Sequence, residues 1–272
     1  MLQATPTRAP LLLGAVVAAV LAAGPAATAA AFTLQRTADG HPDWTGVWDS
    51  TQGMAFDPAT ADPPGNNAQG EHDRIHPPYN AEWEAKYAAT LAEHAKGRIA
   101  DPINLCVPHG FPRALGGSHG PIQIVATPSM FQMQWEWQSE IHRVNMNRPH
   151  LSPEDLWPTF MGDSVGHWEG DTLVIDTIGS KAGQYDRTGA PHSDQTHTVE
   201  RVRQIDADTL EDRITIEDPV ALTRPWVVVR RFTRAKADVR VHDDFCENER
   251  NPIVNGEATV ILGSELEARR GR

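Results

Sequence analysis

Residues 185–201, YDRTGAPHSDQTHTVER, hold the densest run of side chains able to move protons: Tyr185, Asp186, His192, His197 and Glu200. Imidazole titrates near neutral pH, and a positioned carboxyl or phenol can take or give the proton it exchanges, so this set suits acid–base catalysis without a cofactor. A second group lies in GHWEGDTLVIDT, residues 166–177. There His167 and Glu169 are two apart and point the same way if the segment is extended. With His192 or His197 they would wall one proton-transfer site. The competing reading gives these residues structural work: a loop held by its own hydrogen bonds, and Glu200 paired to an arginine across the sheet.

The same residue types allow other chemistries, and the spacing argues against each. His167, Glu169, His192 and His197 could ligate a metal, but no HExxH, HxH or CxxC pattern accompanies them, and neither metal nor cofactor is expected. GDSVG at 162–166 resembles a nucleophile elbow, which needs a strand-to-helix turn, whereas the residues that follow it read as a hairpin. No phosphate-cradling glycine loop precedes a helix. The chain has eight tryptophans. Trp135, Trp137, Trp168 and Trp226 fall in or beside strands and, with His142 and Arg201, are candidates to hold an apolar or aromatic small molecule; packing a core is compatible with that use.

These residues must be positioned by strands. From residue 121 the period is two: IQIVAT, MFQMQWEW, EIHRVNM, TLVIDT, THTVERVRQI, DTLEDRITIED, WVVVRRFT and VRVHDDF are strand-length runs separated by turn residues. Phe131, Met133, Trp135 and Trp137 share one face. Short links such as EGD and DAD favour antiparallel neighbours. The hairpin at 166–177 turns at Glu169–Asp171, with Asp171 as a turn residue, Gly166 and Gly170 allowing the bend, and Trp168 and Leu173 packing inward. DGHPDWTGVWDS at 39–50 reads as a first strand, 53–78 as a long loop, and 80–98 as a helix capped by Asn80 with Trp83, Tyr87 and Leu91 at helical spacing. The expected fold is mainly β: an antiparallel up-and-down barrel of the lipocalin sort, with one N-terminal helix and long loops. A flattened sandwich is the alternative.

Residues 1–31 read as a signal peptide, with Arg8 before an apolar run and small residues before Phe32. Residues 32–100 would form an arm, first strand and helix packed on a barrel spanning 101–272, a single domain of roughly 240 residues. The expected location is the periplasm or outside the cell, with no membrane span after cleavage of the leader. A net charge of −12 without a Lys/Arg cluster disfavours nucleic acid as a partner. Only Cys106 and Cys246 are present; in an oxidising compartment such an isolated pair suggests a disulfide, with two buried thiols as the alternative.

The motifs CVPHGFPRALGG, IVATPSMFQMQWE, GDSVGHWEGDTLVIDT, PHSDQTHTVERVRQIDADTLEDRITIEDP, RPWVVVRRF and FCENER occur in order over roughly residues 40 to 250. In this the chain resembles a family of secreted bacterial proteins known mainly as hypothetical ones. The resemblance implies an exported β-rich domain and lends no activity. The residues themselves point to a cofactor-free lyase, hydratase, isomerase or cyclase acting on an apolar or aromatic compound in a barrel cavity. Two other classes remain: a ligand-binding carrier without turnover, and a metal-dependent enzyme using the His/Glu set.

Overall fold

Strand alternation and turn chemistry account for most of the architecture. The computed structural model describes residues 32–49, 76–97, 101–117 and 120–244, with the backbone of two-residue strands at 55–56, 253–254 and 257–258. The expected leader, most of the 53–78 loop and Cys246 lie outside the described residues. In chain order the strands are β1 (Gly46–Asp49), β2 (Ala55–Phe56), β3 (Pro121–Thr127), β4 (Met130–Trp135), β5 (Ile141–Met146), β6 (Asp163–Glu169), β7 (Thr172–Ile178), β8 (Gly183–Gln184), β9 (Pro191–His192), β10 (His197–Gln204), β11 (Thr209–Glu217), β12 (Trp226–Arg234), β13 (Ile253–Val254) and β14 (Glu257–Ala258). The helices are α1 (Ala81–His94) and the short α2 (Arg113–Gly117).

The sheet runs β1-β3-β4-β5-β6-β7-β10-β11-β12, and β1 pairs back onto β12 through Trp48↔Arg234, closing a barrel of nine strands. β2 adds to β12 at Val228 and Val229. A ring of purely antiparallel neighbours needs an even number of strands. Nine close because β5 and β6 run parallel, Val144 opposite Ser164, while every other neighbour is antiparallel. The expected barrel is therefore present, and it departs from a plain up-and-down path only at that step, where residues 147–162 cross the barrel lengthwise instead of turning back.

Within the hairpin of β6 and β7, Glu169 faces Thr172, so Gly170 and Asp171 form a two-residue turn. Gly170 has φ +61° with nothing near a Cβ, the conformation a II′ turn asks of its first central residue. Gly166 serves a different purpose than bending: a Cβ there would lie 2.7 Å from Val144 Cγ1, so it permits the close parallel approach of β5. Asp171 does more than turn, because both its oxygens accept from Arg36 and pin the N-terminal arm.

Two strand expectations fail. β4 stops at Trp135, and Trp137 sits in a tight helical turn where Gln138 is left-handed, which takes it off the face of Phe131, Met133 and Trp135. Residues 239–244 of VRVHDDF form no strand, since closure of β12 on β1 already occupies that edge.

One end of the barrel is covered by the connections at 101–117, 179–196 and 218–225 and by α1. Asn80 caps the helix by accepting from the backbone of Glu82 and Trp83, and its amide donates to Val220 O at 2.7 Å. Tyr79 donates to Pro191 O, and Tyr87 meets Thr188 Oγ1 at 2.8 Å. Asp218 ties the cover together by accepting from Ser193 N and Oγ, Thr196 Oγ1, Val220 N and Ala221 N.

Candidate functional site

Because side chains alternate across a strand, one parity of each strand lines the barrel. That parity is mostly apolar: Trp48, Ile124, Phe131, Trp135, Leu173, Ile214 and Phe232 are all buried. It also carries His142 between Met133 and Val144, Glu200 between Thr198 and Val202, Asp212 between Leu210 and Ile214, and Arg230 between Val228 and Phe232. These four ionisable side chains are 0–1% exposed.

Hydroxyls satisfy part of the group. His142 Nε2 lies 2.8 Å from Ser164 Oγ, which lies 2.8 Å from Thr177 Oγ1. His142 Nδ1 faces Glu200 Oε2 at 4.0 Å, too far for a hydrogen bond. The Phe111 ring, from the covering connection, rests on the His142 ring with centroids 4.5 Å apart. Asp212 and Arg230 are directly opposite on β11 and β12. Among the described residues, Glu200 and Asp212 meet each other, and neither carboxyl nor His142 Nδ1 finds a hydrogen-bond partner elsewhere.

Burial sets the protonation states. It pushes His142 down to about 3, so the ring is neutral. Burial, and then the adjacent Asp212 charge, hold Glu200 well above the carboxylate range. Burial pushes Asp212 up to about 7, with a hydrogen bond from Glu200 and the charge of Arg230 pulling the other way. Burial lowers Arg230 to about 10 against the pull of Asp212. The result is a protonated Glu200 beside an Asp212 that titrates near neutrality, an acid and a base set apart by their surroundings.

The residues expected to form one site are divided among three places. His142 and Glu200 meet inside the barrel, where Trp135 and Trp226 also point. His167 and Glu169 are exposed on the outer face, bonded to each other at 3.3 Å, with Arg201 donating to Glu169 at 2.7 Å. Arg201 therefore faces solvent and not a cavity, and it holds Glu169 below the usual range by hydrogen bond and charge. His197 is on the same outer face, two rungs from His167, where its Nε2 meets Asp176 at 2.9 Å. Asp176 also meets His150 at 3.0 Å, completing a line from Asp163 to Glu217. The cross-strand arginine considered for Glu200 is not there: Ile175 and Ile214 flank it.

Tyr185, Asp186 and His192 lie in the covering connection. Tyr185 is buried edge-on to Trp226 and against His192, and burial keeps its phenol protonated. Asp186 accepts from Thr188 N and Oγ1, a turn-forming role. Trp168 packs on Trp44 and stacks on His41 by the N-terminal arm. Trp137 lies beside His109, away from the barrel interior. Among the described residues no group of three or more His, Cys, Asp or Glu is arranged to hold a metal ion. Cys106 ends a short helical turn with φ +60° and is not a free thiol; its expected partner lies outside the described residues.

Asp212 and Thr177 are not among the residues expected from the sequence, Ser164 enters there only through the rejected GDSVG motif, and Arg230 only as one of several arginines. The signal was there: Asp212 shares parity with Leu210, Ile214 and Ile216 in TLEDRITI, and Arg230 with Val228 and Phe232 in WVVVRRF. A charge on the apolar parity of a strand is an inward charge.

No family of known proteins matches the chain, and no curated protein does either. Among solved structures it is similar to a mutant of the fluorescent protein UnaG, at 14% identity and a TM-score of 0.26, over 43% of this chain and 71% of that one. A likeness this weak carries no argument about what the barrel holds.

Proposed function

We propose that the barrel interior takes a small, largely apolar or aromatic molecule and that Glu200 and Asp212 move a proton on it. The reaction class is cofactor-free acid–base chemistry: a lyase, hydratase, isomerase or cyclase. Asp212 acts as base near neutral pH and Glu200 as acid. Arg230, opposite Asp212, offsets negative charge, and neutral His142 offers Nδ1 to a polar group of the ligand. The export signal and a Cys106–Cys246 bridge belong to the same proposal, which places the enzyme outside the cytoplasm.

The observation that carries it is the pair of fully buried carboxyls that meet each other and find no hydrogen-bond partner elsewhere among the described residues. An unsatisfied buried polar group costs about 1–3 kcal/mol, and more when charged. A barrel needs no such pair for its stability. Perturbed carboxyls beside unfilled hydrogen-bonding capacity are what a proton-transfer site requires.

Exchange of ligand C–H hydrogens for deuterium in heavy water tests this without naming the reaction. The folded protein is incubated with a panel of aromatic ketones, enol ethers and unsaturated alcohols, and binding and mass change are both read. Deuterium uptake or product formation that disappears in folded Asp212→Asn supports the proposal. Tight binding with neither exchange nor product across the panel overturns it and leaves a carrier.

A further inference from the structure

The covering connections enclose a small cavity of about 70 Å³, separate from the carboxyl pair, whose largely apolar wall carries several polar side chains. Its lining includes Arg113, Lys181, Gln184, His109, His192 and the outer face of Phe111. No aspartate or glutamate lines it, although acids outnumber bases 36 to 24 in the chain as a whole. Arg113 is held by both oxygens of Asp101, at 2.9 and 2.7 Å. The Lys181 ammonium lies 4.4 Å from the centroid of the Phe160 ring, which steadies it beside the cavity.

His192 is 3% exposed and oriented with care. Its Nδ1 is 3.1 Å from Ser193 O, and a carbonyl only accepts, so Nδ1 carries the hydrogen. Asp218 in turn fixes Ser193 and Thr196 around that edge of the ring. Burial lowers the imidazole's proton affinity, so the ring is neutral and Nε2 presents a lone pair. Nε2 approaches Gly183 so closely that a Cβ there would stand 2.9 Å away. Position 183 has no side chain where the lone pair emerges into the cavity.

We propose that this cavity is a binding site for a small oxyanion that carries a hydroxyl, with Lys181 and Arg113 drawing its charge and His192 Nε2 accepting its O–H. Hydrogen phosphate and a short α-hydroxy acid share this chemistry. A cavity of this size accommodates several water molecules and hence either anion. A cation is disfavoured by a lining with two positive side chains and no acid. A purely apolar group would strand the lone pair of His192. The proposal stands whether or not the barrel interior turns over a substrate.

The test is calorimetric titration of the folded protein with inorganic phosphate and with lactate. At least one is expected to bind saturably and to shift the Nε2 nitrogen resonance of His192. Phosphate alone would mark a tetrahedral anion, lactate alone a hydroxy acid. Lys181→Ala, at an exposed side chain, should weaken binding roughly tenfold or more, the weight of one charge-assisted contact. Gly183→Ala should abolish it by covering Nε2. No saturable binding of either probe overturns the proposal. So does an unchanged affinity in Lys181→Ala, or binding that leaves the His192 resonance unmoved. Thermal melting establishes that each variant is folded, and if Gly183→Ala is not, the other two readings decide.

Discussion

Replacing Asp212 with asparagine converts the electrostatics of the barrel interior into a measurable pH dependence. Asparagine has the shape of the carboxyl and stands in for its neutral form at every pH. In the native protein burial pushes Asp212 up to about 7 from an ordinary value of 3.8. In the unfolded chain it ionises at the ordinary value. Below that value both states are protonated and the group does not favour either. As pH rises from about 4 to about 7 the unfolded state gives up its proton while the folded state keeps it, so ionisation favours unfolding. Above about 7 both are ionised and the loss is complete. A shift of about three units corresponds to roughly 4 kcal/mol at about 1.4 kcal/mol per unit. Urea unfolding of both proteins at several pH values gives the difference in stability. That difference should move in favour of Asp212→Asn by about 4 kcal/mol between about pH 4 and about pH 8. The shape difference enters as a constant offset, and the pull of Arg230 on the ionised carboxylate is already contained in the value of about 7. A difference that does not vary with pH, or that moves toward the wild type as pH rises, would mean that Asp212 is an ordinary ionised partner of Arg230. The acid–base reading would then be wrong.

The other expectations concern the frame and the outer face. Gly170→Val should lower stability by about 1–3 kcal/mol through backbone strain alone, since φ is +61° and the space around it is open; an unchanged melting temperature would contradict this. His167→Ala and His197→Ala should each shift stability by no more than about 0.5 kcal/mol and leave any exchange activity intact, because both rings lie on the outer face; loss of activity in either folded variant would return the site to that face. Cys106 and Cys246 are expected to be bridged, which would stabilise by about 4–5 kcal/mol in the chain-entropy model. Two free sulfhydryls found by thiol titration of denatured, unreduced protein would contradict the pairing.

Local rules written in the sequence determined a good deal of this protein. Period-two runs placed most of the barrel strands, because a strand that buries one face has to alternate. Gly170 placed the tight turn, because few other residues tolerate its φ. Asn80 and the spacing of Trp83, Tyr87 and Leu91 placed the helix. What alternation leaves open is which face is inside. In β10, Thr198, Glu200 and Val202 are as mixed in polarity as His197, Val199 and Arg201, and neither set declares itself buried. That choice falls to strands far away in the chain: closure of β12 on β1 encloses one face of the whole sheet at once. The parallel step from β5 to β6 was equally hidden, since it depends on the path of residues 147–162 and not on any pattern within the two strands. Only closure turned a histidine, two carboxylates and an arginine from four separate strands into one buried group, because proximity in a barrel is set by register between strands, and register is a property of the assembled sheet.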